Sequence, residues 1–296
     1  MTGKNPTIAT ITLNNGVQMP ALGLGVYQST PQETADAVAN ALREGYRLID
    51  TAAAYFNEKE VGEGITRSGI DRGEVFVTTK LWLTDYGYDT TLRAFDTSLA
   101  NLGLNHLDLY LLHWPVPAAF DDTVASYKAA EKLLADGRVW AIGVCNHKPE
   151  HLHRLIDRTS VVPAVNQVEL HPYFTQRAVR QADAEAGVVT QAWSPLGGVN
   201  MYWQDGHNAG RNPLDHPTVT DIATRYGKTA AQVVLRWHLE HRLSAIPKSV
   251  RPHRIAENLD VFDFGLTADE VAAIDTIDTG VRGGPDPDAV GPGYFG

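Results

Sequence analysis

At 296 residues, with 43% hydrophobic and 20% charged residues, the chain can bury a core large enough to fold without a disulfide or a structural metal. Its one cysteine, Cys145, excludes an intrachain disulfide and fits a reducing compartment. A net charge of −10 argues against a nucleic-acid partner, and no apolar run reaches the roughly 20 residues of a membrane span, so a cytoplasmic protein with no membrane partner is expected.

Leu22–Gly25 reads as the first strand of a repeating strand–helix pattern. Thr30-Pro31-Gln32-Glu33 is a capping box with proline at the first helical position, Ala35, Val38, Ala39 and Leu42 form one apolar face, and Gly45 stops the helix. Strands follow at Tyr46–Asp50 and Val75–Lys80, then a helix on Leu92, Phe95, Leu99 and Leu102 that ends at Gly103. After the strand Asp108–His113, Val124, Tyr127 and Leu134 mark a helix before Gly137. Val139–Val144, Ala164–Val168 and Val188–Trp193 are the next strands; Thr229-Ala230-Ala231-Gln232 caps a helix with Val233, Val234 and Trp237 inward, and Leu243–Pro247 is the last strand. The strands are near-continuous apolar runs, as parallel strands buried on both faces require. Such alternation admits a closed barrel or an open doubly wound sheet. No shift in composition divides residues 1–296, so one domain is expected, with long loops at Gly197–Pro217 and Gly280–Gly296.

Three successive strands end in an ionisable residue, Asp50, Lys80 and His113, and Tyr55 lies five residues beyond Asp50. In a barrel these endings meet at the C-terminal mouth, where barrel enzymes place their chemistry. A phenol, with a pKa near 10, is a weak acid until a neighbouring ammonium stabilises its anion. Lys80 is that ammonium, Asp50 its counter-ion, and the His113 ring can orient a substrate oxygen. The bland reading of Asp50 and Lys80 alone is a structural ion pair.

Asp50-Thr51-Ala52-Ala53-Ala54-Tyr55, Leu107 to Pro115, Ile246-Pro247-Lys248-Ser249-Val250 and the Lys80 segment Thr78 to Trp82 resemble the signatures of the aldo-keto reductase family, over a stretch from about Ile11 to Ile274. Within it, Val162 to Gln167, Val234 to Leu239 and Asn258 to Phe262 resemble the bacterial 2,5-diketo-D-gluconate reductases. The resemblance implies a single (β/α)8 TIM-type barrel with an N-terminal β-hairpin and long loops at its C-terminal mouth. It implies an NADPH-dependent reduction of an aldehyde or ketone, with Tyr55 as general acid, Asp50 and Lys80 tuning it, and His113 positioning the carbonyl. Sugar-derived or small dicarbonyls are the expected substrates, and a monomer is the expected state. The alternative is a barrel that holds NADPH as a sensor or partner subunit.

No G-x-G-x-x-G follows the first strand, since Gly23-Leu24-Gly25 runs into Val26 and Tyr27, which argues against a Rossmann site. The family lays its cofactor across the barrel mouth. By that resemblance Trp193 stacks on the nicotinamide, Asn146 and Gln167 bond its carboxamide, Ser194 and Leu196 lie in the pyrophosphate loop, and Glu257 and Asn258 meet the adenine. Lys248, Ser249, Arg251 and Arg254 cluster where Pro252 should open a helix, an anion site by charge and by orphan N–H groups, suited to a 2′-phosphate. Tyr27, Trp82 and Trp114 should line the substrate pocket, and the tail with Tyr294 and Phe295 should close over it.

Two departures stand out: Cys145 where the family has serine, and Phe56 where close relatives have glycine. Tyr55-Phe56-Asn57-Glu58-Lys59 matches the Tyr-x-x-x-Lys pair of short-chain dehydrogenases, but the nucleotide loop that accompanies it there is missing. A Schiff-base role for Lys80 needs an unpaired lysine, which Asp50 opposes. His147, His151 and His153 read as surface histidines, and no metal is expected.

Overall fold

The computed structural model describes residues 8–198, 212–291 and 293–295. The expected hairpin is present, with β1 (Thr10–Thr12) antiparallel to β2 (Gln18–Pro20) and Thr10 opposite Pro20. Eight parallel strands then pair in chain order: β3 (Leu24–Gly25), β4 (Leu48–Asp50), β5 (Phe76–Leu81), β6 (Leu107–Leu112), β7 (Val139–Cys145), β8 (Val165–Glu169), β9 (Val189–Trp193) and β10 (Ser244–Ala245). Bridges from Leu22 to Ala245 and from Gly25 to Lys248 join the first strand to the last. The sheet therefore closes into a (β/α)8 barrel with no open edge. A Cβ at Gly23 would lie 2.0 Å from Leu48 Cδ2, so glycine lets the chain entering β3 sit against its neighbour β4.

The helices described are α1 (Pro31–Glu44), α2 (Glu58–Ser68), α3 (Tyr88–Leu102), α4 (Phe120–Ala135), α5 (Pro149–Ile156), α6 (Arg177–Glu185), α7 (Pro217–Tyr226), α8 (Ala230–Glu240), α9 (Pro252–Leu259) and α10 (Ala268–Asp275). The capping boxes at Thr30 and Thr229 form as expected, and Gly45 and Gly103 end their helices with left-handed backbone. None of these helices is long and apolar enough to cross a membrane.

Most strand bounds differ by a residue or two from the sequence expectation, β4 and β10 among them. Tyr46 lies outside β4; its side chain is fully buried and its hydroxyl donates to the Ile255 carbonyl in α9, 3.2 Å away. The last strand pairs with β9 over Ser244–Ala245, with one further backbone bond from Ile246 to Ala192, while Pro247 and Lys248 meet Gly25 across the closure.

The barrel interior is layered by polarity. Leu13 and Met19 of the hairpin join Leu48, Phe76, Leu109, Ala141 and Val165 in one apolar cluster at the N-terminal end. The same strands end in Asp50, Lys80, Gln167 and Glu169, all buried. Alternation along each strand sends both sets inward. The apolar end is plugged by the hairpin; the polar end is the mouth.

Candidate active site

Asp50 is the last residue of β4, Lys80 lies one residue from the end of β5, and His113 follows β6 with its N–H on the Leu81 carbonyl at 3.2 Å. Tyr55 ends a single 3-10 turn, Ala53–Tyr55, in the loop after β4. The four converge. Lys80 Nζ donates to Asp50 Oδ1 at 2.5 Å, to the Thr51 carbonyl at 2.9 Å and to the Tyr55 hydroxyl at 3.5 Å. The Tyr55 and His113 rings meet edge to face with centroids 5.8 Å apart. Lys80 uses its protons on acceptors, which leaves the Tyr55 hydroxyl hydrogen available to a substrate.

The charges of the group follow from burial and pairing. Burial works against the Lys80 ammonium, yet Asp50 and Tyr55 outweigh it, and the lysine holds its proton more tightly than a free one. Burial pushes the Asp50 carboxyl up, while Lys80 and Gln167 pull it back. His113 is driven well below its ordinary range by burial and by the Lys80 charge, so its ring is neutral. For Tyr55 the expectation needs correcting. Burial outweighs the pull of Lys80, and the phenol is shifted upward rather than downward. It therefore enters the site fully protonated.

The loops that carry these residues are tightly turned. Gln28, Phe56, Val116, Asn146 and Ser194, each just beyond a barrel strand, have left-handed backbone with φ between 43 and 60°. Such angles concentrate at functional sites. Phe56 takes this conformation with 90% of its surface exposed, and its ring projects into solvent.

Asn146 and Gln167 lie at the mouth as expected, each already bonded within the protein. Asn146 Nδ2 donates to the His113 carbonyl at 3.0 Å, and its Oδ1 accepts from Trp193 Nε1 at 2.9 Å. Gln167 Nε2 donates to Asp50 Oδ2 and to Gln191 Oε1, both at 2.7 Å. Cys145 is fully buried, and burial pushes its thiol up. Ser194 and Leu196 are half-buried beside Trp193.

Lys248, Arg251 and Arg254 stand exposed at the start of α9, where Arg251 is the N-cap and Pro252 opens the helix. None of the three has an acidic partner within 4.0 Å among the described residues, an uncompensated cluster in an acidic protein. Ser249 Oγ accepts from the Arg251 N–H at 3.1 Å. Glu257 accepts from Thr229 Oγ1 at 2.9 Å, and Asn258 is buried.

Around these four residues, Tyr27 packs on Tyr55 with centroids 4.9 Å apart, Trp82 on His113 at 5.1 Å, and Trp114 on His113 at 6.2 Å. Phe295 of the tail closes on Trp82 at 5.1 Å and Trp114 at 5.7 Å. Val290 is buried against Leu83, Trp114 and Val116. The described part of the tail thus lies across the mouth. Of the long loop expected at Gly197–Pro217, residues 199–211 lie outside the described residues.

The reading of the three histidines as surface residues is corrected. His147 and His151 are buried, and only His153 is exposed. His151 Nε2 lies 3.0 Å from Asp288, whose other oxygen is held by Lys148 at 2.5 Å, with Lys148 also on Asp286 at 2.8 Å. Lys148 bridges the two carboxylates, and these contacts tie the tail to the loop after β7.

Sequence reasoning missed Glu169. It ends β8, is fully buried, and accepts from the N–H groups of Gly283 at 2.6 Å and Gly284 at 2.9 Å and from His171 Nε2 at 3.1 Å. Burial works to raise its pKa; His171 and the two N–H groups reverse this and hold the carboxyl below its ordinary value.

The profile of the Aldo/keto reductase family matches residues 20–279. The morphine 6-dehydrogenase of Pseudomonas putida is 57% identical over 288 residues, 97% of this chain and 96% of that protein. The methylglyoxal reductase DkgA of Escherichia coli is 46% identical over 287 residues, 97% and 99% of the two chains. A variant of Gox0644 solved in complex with NADPH superposes with a TM-score of 0.88 at 44% identity, covering 96% of this chain and 99% of that one.

Proposed function

The chain belongs to the aldo/keto reductase family, and we propose that it reduces aldehydes and ketones to alcohols with NADPH, Tyr55 giving the proton. The observation that carries this is the convergence of the Tyr55 hydroxyl, the Lys80 ammonium at 3.5 Å and the neutral His113 ring at one mouth. NADPH, when bound, supplies a hydride to the carbonyl carbon. The chain's own residues manage the oxygen. His113 donates a hydrogen bond that holds the carbonyl toward Tyr55. As the carbon is reduced, its oxygen becomes an alkoxide far more basic than a phenolate, so the proton passes from Tyr55 despite the raised phenol pKa. Lys80, kept charged by Asp50, stabilises the phenolate left behind.

The mouth fits the cofactor. Trp193, its Nε1 fixed by Asn146, offers a ring for the nicotinamide, and Asn146 and Gln167 offer amides for its carboxamide. The unpaired cations Lys248, Arg251 and Arg254 with Ser249 supply the donors that a 2′-phosphate needs. Glu257 and Asn258 lie on the following turns of α9 for the adenine.

Tyr27, Trp82, Trp114 and Phe295 make an aromatic wall with one polar corner, which suits a compact carbonyl compound with apolar flanks. Small dicarbonyls such as methylglyoxal head the list, as the name of the DkgA relative suggests, and cyclic ketones come next, given the morphine 6-dehydrogenase relative. The test is NADPH and NADH consumption with methylglyoxal, sugar-derived dicarbonyls, cyclic ketones and aromatic aldehydes. Turnover of at least one class with a preference for NADPH is expected. NADPH that binds tightly and is consumed with none of them would leave the sensor reading in its place.

A further inference from the structure

Resting on the reading of Trp193 as the nicotinamide platform, we propose that Glu169 is a positioning residue that latches the C-terminal tail against the indole and so sets the platform. Glu169 and Trp193 are register partners at the ends of β8 and β9. A carboxylate with no exposed surface is costly unless its lone pairs are occupied. Here the occupants come from the tail: the consecutive N–H groups of Gly283 and Gly284 fall on different oxygens of the same carboxylate, at 2.6 and 2.9 Å, and Arg282 Nη1 stands 3.8 Å away. His171 adds its Nε2 from the loop that Glu169 itself begins.

This grip brings Gly284 onto the indole. A Cβ there would lie 2.6 Å from Trp193 Cη2 and 3.4 Å from Cζ3, and 3.1 Å from Glu169 Oε2. The six-membered edge of Trp193 thus abuts the tail backbone, while Nε1 at the opposite end is bonded to Asn146. The ring is held at both ends, at one by a loop after a strand and at the other by a tail that Glu169 fastens. The same tail then runs to Asp286 and Asp288 on Lys148 and to Val290 and Phe295 against the substrate wall. One buried carboxylate therefore sets both the cofactor platform and the far side of the pocket.

The test compares wild type, Glu169→Gln, Gly284→Ala and Trp193→Ala for binding of NADPH, binding of adenosine 2′,5′-bisphosphate, kcat and KM. The glutamine keeps the size of the side chain but turns an NH2 toward a backbone N–H; the alanine adds a methyl against the indole. Both should weaken NADPH and lower kcat by roughly tenfold, the scale of a small misplacement at a reacting centre. Both should bind the bisphosphate, which lacks the nicotinamide, as wild type does. Gly284→Ala, in the half-buried tail, keeps the test open should Glu169→Gln fold poorly. Wild-type NADPH affinity and kcat in both variants, beside a weakened Trp193→Ala, would overturn the latch alone. Parallel loss of the bisphosphate would also overturn it, because it would mark general damage. Unchanged NADPH affinity in Trp193→Ala would remove the platform and the latch with it.

Discussion

Lys80 Nζ lies 3.5 Å from the Tyr55 hydroxyl and 5.0 Å from the centre of its ring, close enough to stabilise a phenolate yet without a short bond that would hold one in the resting site. The short contact of Lys80 is to Asp50, and both side chains are buried. Removing one partner strands the other charge in a low-dielectric interior. Lys80→Met should destabilise the protein by about 3–5 kcal/mol, and the double change with Asp50→Asn should recover most of that loss. Chemical denaturation checks both; a Lys80→Met loss under about 1 kcal/mol would show that the pair contributes no more than a surface ion pair.

Phe56, the residue after Tyr55 in the loop that follows β4, allows a stability test. Its left-handed backbone strains a residue with a Cβ, and its ring is exposed, so glycine removes strain and little packing. Phe56→Gly should stabilise by up to about 1 kcal/mol after the added chain entropy of glycine is subtracted. A clear fall in the denaturation midpoint would mean the ring makes contacts that matter in solution.

Much of this architecture was legible in the chain. Uninterrupted apolar runs at Val139–Val144 and Val188–Trp193 identify parallel strands, and Thr30 and Thr229 state where helices begin, because these signals act over a few neighbouring residues. Asp50, Lys80 and His113 were legible because each stands at the end of its own strand, and Tyr55 because it follows Asp50 by five residues. Glu169 was not: the glycines that satisfy it are more than a hundred residues away, and a carboxylate after an apolar strand looks like any other loop entry. The upward shift of Tyr55 was hidden for the same reason, since depth of burial is a property of the closed barrel. His147 and His151 looked superficial because nothing local announces that His147 bonds back to the Cys145 carbonyl or that Asp288 of the tail reaches His151.

Asp183 provides a pH prediction remote from catalysis. It is fully buried, and burial raises its pKa to about 7 against the bonds from Asn166 at 3.0 Å and Thr190 at 2.7 Å. The folded state therefore keeps a proton that the unfolded chain releases near the ordinary carboxylate value. The stability from this group is complete below that value and declines as pH rises toward about 7, by at most about 1.4 kcal/mol per pH unit. Asp183→Asn keeps an acceptor for Asn166 and a partner for Thr190 without the titration. Relative to wild type it should gain in melting temperature between pH 5 and pH 8, the span that brackets most of this titration; a constant difference would place the Asp183 pKa outside that window.

The cations at the start of α9 should act on cofactor choice. Arg251→Ala and Arg254→Ala should each weaken NADPH by about tenfold, the scale of one hydrogen bond to a charged group, and leave NADH nearly unchanged. The ratio of the two dissociation constants is the readout, and equal losses for both cofactors would remove these arginines from a phosphate site.

The most direct test of the account is single-turnover reduction of a carbonyl substrate by Tyr55→Phe already loaded with NADPH. The phenylalanine keeps the ring contacts with Tyr27 and His113 and deletes only the hydroxyl beside Lys80. NADPH should bind as to wild type, while the rate of reduction should fall by about 10²- to 10⁴-fold, the contribution of a positioned general acid. Reduction at the wild-type rate would contradict the assignment of Tyr55 as the proton donor.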